Sequence, residues 1–180
     1  MKKLCVFAMA FFWICFQGLA QQVIPLEENQ SSNQDGLSVG FSVTNERTQS
    51  AGKEEFSRYE ITVYLTNQSG CPKIVLTGTG FQGAFGGSIM DPSVFGVFDC
   101  INATGRRMTS KSAEVRANQF IVPFERQDTN AEGKTITRTE RVQAGFILRD
   151  GETISTDIIV LVPLGERPRI QARVTAFSNL

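Results

Sequence analysis

Leu37, Val39, Phe41 and Val43 alternate with small or polar residues, the period-two pattern of a strand with one buried face. After a polar stretch over 44–57, Tyr59, Ile61, Val63 and Leu65 repeat the pattern. Asn67 to Pro72 reads as a turn, followed by short strands at Lys73 to Thr77, Val94 to Phe98 and Phe120 to Phe124. Pro123 marks the last of these as an edge or a bulge. Glu125 to Glu140 is too polar for a core and reads as a solvated hairpin turning near Asn130 to Gly133, or as a loop. Val142, Ala144, Phe146 and Leu148 resume the alternation, and Asp150-Gly151 is a hairpin turn signal before Ile154, Thr156, Ile158 and Val160. Ile170, Ala172, Val174 and Ala176 form a last apolar face, with Arg167, Arg169, Gln171 and Arg173 opposite, a charged pattern that guards an edge strand.

No segment carries a helical period. About seven or eight short strands broken by turns predict an all-β chain, an antiparallel β-sandwich of immunoglobulin-like architecture. A small β-barrel or jelly roll is the alternative, because alternation does not disclose strand pairing.

The N-terminal 36 residues break this pattern. Residues 1–20 read as a signal peptide: Lys2 and Lys3, an uncharged run from Leu4 to Phe16, then Gly18-Leu19-Ala20 at a cleavage point. That run is too short to span a membrane, and no transmembrane segment is expected after cleavage. Residues 21–36 are rich in Gln, Asn, Ser and Glu and read as a flexible polar tether, leaving 37–180 as a single domain. Without residues 1–20, 16 basic side chains face 18 acidic ones, and this near-neutral balance argues against a nucleic-acid partner. The chain has no His, which removes Ser-His and Cys-His nucleophile pairs and His-ligated metals.

Export implies an oxidising compartment, and Cys71 and Cys100 are the pair left after cleavage, so a disulfide between them is expected. Its loop of about 30 residues would contribute about 3–4 kcal/mol in the chain-entropy account. Cys15 follows Ile14 inside the apolar run, unlike a lipid-attachment cysteine. Asn67-Gln68-Ser69 and Asn102-Ala103-Thr104 match the glycosylation sequon and read as chance matches beside a bacterial-style start.

Gly78-Thr79-Gly80-Phe81-Gln82-Gly83 spells a dinucleotide fingerprint, yet Ala84-Phe85-Gly86-Gly87 follow where a helix should begin, so no cofactor is expected. Seven glycines lie between Gly70 and Gly96, with Phe81, Phe85, Ile89, Met90 and Phe95 among them. Phe81, Gln82, Phe85, Met90 and Phe95 are the candidate contact residues of a partner-binding loop held by the disulfide. The competing reading folds these aromatics over one end of the sandwich.

Other motifs carry less. Ser50-Ala51-Gly52-Lys53 matches S-x-x-K but sits in a Gly-containing loop. Asp128-Thr129-Asn130 lacks the glycine of an aspartic-protease motif, and adjacent acids such as Glu54-Glu55 diverge in any regular structure. Asp91, Asp99 and Asn102 supply oxygens without calcium-loop spacing, and no metal site is expected. Arg106, Arg107 and Lys111 read as a solvated basic loop.

The sequence thus favours an exported, non-catalytic module of the cell envelope (periplasmic, cell-surface or secreted) that binds a protein or glycan partner through end loops. A structural subunit of a surface fibre or adhesion assembly, docking by strand addition, is the second reading. A carboxylate-based hydrolase is the third.

Overall fold

The computed structural model describes residues 23–177 apart from 53, 78–90, 103, 104, 106, 109–111, 130, 132 and 176. Eleven strands form among the described residues: β1 Val23–Leu26, β2 Ser31–Gln34, β3 Leu37–Ala51, β4 Glu54–Asn67, β5 Lys73–Leu76, β6 Val94–Ile101, β7 Ala113–Arg116, β8 Asn118–Thr129, β9 Thr135–Leu148, β10 Thr153–Pro163 and β11 Arg169–Val174. They make three antiparallel sheets: sheet A in the order β1-β11-β6-β7, sheet B as β10-β4-β3-β2, and sheet C as β5-β9-β8. The sheets do not close on themselves, so the all-β sandwich is the architecture and the barrel is set aside.

The core follows the alternation. In β4, Tyr59, Ile61, Val63 and Leu65 point inward beside Leu37, Val39 and Phe41 of β3, while Phe98, Cys100, Val115, Ile170 and Ala172 meet them from sheet A. Gly96 faces the same interior, since a Cβ there would lie 3.0 Å from Val115 and 3.2 Å from Leu65. A bulge between Val43 and Asn45 ends the inward run of β3, and Thr44 Oγ1 donates to the Glu60 carbonyl there.

Three expectations are corrected. Residues 23–34, expected as tether, form β1 and β2; Ile24 and Leu26 are buried against β11, and the polar β2 pairs with β3. Backbone pairing at an edge needs no apolar side chains; a turn with positive φ at Asn29 carries the chain from sheet A to sheet B, and Asp35 and Gly36, also at positive φ, close the β2–β3 hairpin. The strand count rises from about eight to eleven because Ala113–Arg116 and the two N-terminal strands are too short or too polar to show a period. The arginine-bearing β11 is an interior strand of sheet A, not an edge, and β1 and β6 flank it.

The polar stretch Glu125 to Glu140 takes the hairpin form. β8 and β9 pair from Thr129↔Thr135 inward, and nearly every residue of this ribbon distal to Ile121 and Gln143 is exposed. β7 and β8 are separated only by Ala117, whose N–H donates to the Ser93 carbonyl.

Candidate functional site

The β4–β5 and β9–β10 turns meet at one end of the sandwich, and Asn67 joins them. Its Nδ2 donates to the carbonyls of Cys71 (2.8 Å) and Leu148 (3.0 Å), while its Oδ1 accepts from the N–H and hydroxyl of Ser69. Its backbone bonds Glu152 and Gly151, so a fully buried carboxamide has every polar atom engaged. Both amide hydrogens are committed internally, which leaves the sequon at Asn67 without an available acceptor side chain.

Lys73 follows in β5 and is buried, its ammonium 5.9 Å from the centre of the Phe177 ring. Phe177 in turn packs edge-on against Phe95 at 5.0 Å. Phe95 is 0% exposed and belongs to the core, which corrects its place among the candidate contact residues. The inserted residue at the Val94/Gly96 bulge turns it inward. Phe81, Gln82, Phe85 and Met90 lie outside the described residues, as do Lys53, Arg106, Lys111 and Asn130 of the other motifs.

The Cys71–Cys100 disulfide is not formed: both are free thiols, Cys71 exposed and Cys100 buried. Cys71 sits in the turn two residues before Lys73, at the Phe95 end of β6. Cys100 lies near the far end of that strand, in the core, whereas the Cys71 sulfur lies 3.5 Å from the Ser69 hydroxyl on the surface. Burial pushes the Cys100 thiol up to about 11.

Carboxylates expected as loose oxygen donors are committed to hydroxyls and arginines. Asp91 accepts from the Ser93 hydroxyl (2.7 Å) and N–H (2.9 Å) and pairs with Arg116; these contacts, Ser93 first, hold it below the usual carboxylate range. Asp99, buried on the outer face of sheet A, accepts from Ser112 Oγ (2.6 Å) and Arg173 Nη2 (2.9 Å), with Arg107 at 3.6 Å. Among the described residues no cluster of His, Cys, Asp or Glu is placed to hold a metal ion.

What this end does present is apolar. Register places Ile74, Ile147 and Asn118 on one row of the outer face of sheet C, and Leu76, Gly145 and Phe120 on the next, with Ile121 beyond. Val75 and Leu148 occupy the opposite, core-facing side. Ile74 is 38% exposed, Leu76 54% and Ile121 50%, with Phe120 half-buried and Ile147 buried between its neighbours. The ribbon adds Val142 and Phe124, both exposed, on its other face. The sequence carries a signal for this patch: Lys73 to Leu76 and Phe120 to Phe124 are apolar on both faces instead of alternating.

Comparison with protein-family models, with curated proteins and with solved structures finds no significant match. The reading of this end rests on its own chemistry.

Proposed function

We propose that this chain is an exported, non-catalytic interaction module of the cell envelope or its surroundings, which recognises a protein partner through the outer face of sheet C. The observation that carries this is the contiguous set Ile74, Leu76, Phe120 and Ile121 on the outside of a sheet whose inner side already fills the core. Such a face favours aliphatic and aromatic side chains of another protein over a glycan, whose hydroxyls need polar partners there. Leu76 lies two residues before the stretch 78–90, so the proposed contacts in sheet C adjoin in sequence the segment expected to carry recognition.

Position-specific photocross-linking in the producing cell tests this. A photoreactive side chain at position 76 or 121 should give one discrete protein adduct, and one at Gln171, on the outer face of sheet A, should not. Leu76→Lys should remove the adduct formed from position 121 and weaken rebinding of the purified partner about tenfold or more. Equal adducts from all three positions, or none from 76 and 121, would overturn the reading.

A further inference from the structure

Among the described residues six strands lie at the edges of the three sheets, and five are guarded. β1 spans four residues including Pro25, and β2, β5 and β7 are equally short. β8 is long but carries Pro123, Glu125 and Arg126. β10 differs: eleven residues, a single charge at Asp157, and Pro only at its last position. It pairs with β4 on one side and has no strand on the other among the described residues. β7 of the facing sheet approaches β10, with Val115 meeting Gly96 and Leu65 beside Ile154, and among the described residues no strand pairs with the free edge of Ile158–Pro163. On that portion Ile159 is 58% exposed and Leu161 47%. Long, apolar and unguarded edges template another strand.

The sequence of β10 matches itself. In an antiparallel pairing of two copies centred on Val160, Ile159 of each copy stands opposite Leu161 of the other on the outer face, and Ile158 opposite Val162 on the inner. Each Asp157 then faces Pro163, and the two carboxylates lie about 20 Å apart at strand rise. The four exposed side chains close into one apolar cluster, and the two copies of sheet B become one continuous sheet around a twofold axis. We propose that this protein forms a homodimer through antiparallel β10–β10 pairing centred on Val160. The pairing uses an edge remote from the sheet C patch and is independent of the function proposed above.

Sedimentation velocity on the chain beginning at Gln21, from micromolar to near-millimolar concentration, should show the mass doubling. Ile159→Lys and Leu161→Glu, each at an exposed position, should each hold the protein at single-copy mass, with the melting temperature the wild-type chain shows at concentrations too low for pairing. The double variant should restore the dimer, because this register sets the introduced lysine of one copy against the introduced glutamate of the other. Within one copy the same changes face Glu60 and Arg58 of β4, so the folded subunit tolerates them. A wild-type chain of single-copy mass throughout, as expected if another protein's strand covers the edge, overturns self-pairing. Dimerisation of either single variant places the contact elsewhere, and failure of the double variant to restore it overturns the register.

Discussion

The two cysteines show how far a residue's chemistry depends on where its strand puts it. Compartment reasoning paired them, but one thiol is open in a turn and the other is sealed in the core. In the chain beginning at Gln21, a thiol reagent should therefore find one reactive group in the native protein and a second only after denaturation. Failure to find any in the denatured, unreduced protein would restore the bridge. In the sequence Asn67 reads as a turn residue and part of a chance sequon, since its side-chain role arises from carbonyls up to 81 positions away, which no local pattern encodes. Its neighbours would be left unsatisfied in Asn67→Ala, a change costing about 1–3 kcal/mol by that mechanism.

Among the elements, β3, β4 and β10 of sheet B are legible in the sequence because one face is buried and the alternation follows it. β1, β2 and β7 are not, because strands this short are held by their neighbours rather than by a period. The pairing of β5 with β9 is also hidden from the sequence, although Gly145 is its mark: a Cβ there would lie 2.1 Å from the Val75 carbonyl oxygen. Gly145→Ala should thus push β5 from sheet C at a cost of about 1–3 kcal/mol. Urea unfolding would record that loss, and hydrogen exchange should show lost protection at Thr77, whose N–H donates to Ala144.

For the whole molecule, the sandwich was readable from strand signals and the absence of helical ones, whereas its interaction surfaces required the register. The far end from the Asn67 turns is tied by charge. Glu60 accepts from Arg58, Arg47 and Asn45, and these bonds, Arg58 first, lower its carboxyl from 4.5 to about 2. A group depressed in the fold stabilises above its unfolded value and loses that contribution as pH falls toward the folded one. Acidification from near pH 5 to near pH 2.5 should accordingly lower the urea midpoint of the wild-type chain more than that of Glu60→Gln. An equal drop in both would show that the trio contributes nothing measurable, as exposed ion pairs often do.

The direct run of β7 into β8 through Ala117 has a mechanical consequence. With no loop to absorb slack, the ribbon is a lever and Ala117 its fulcrum. Tension applied at the tip passes along the chain axis into sheet A, where the β6–β7 ladder bears it in shear rather than peeling bond by bond. A load caught on the ribbon is thereby carried by the sandwich as a body.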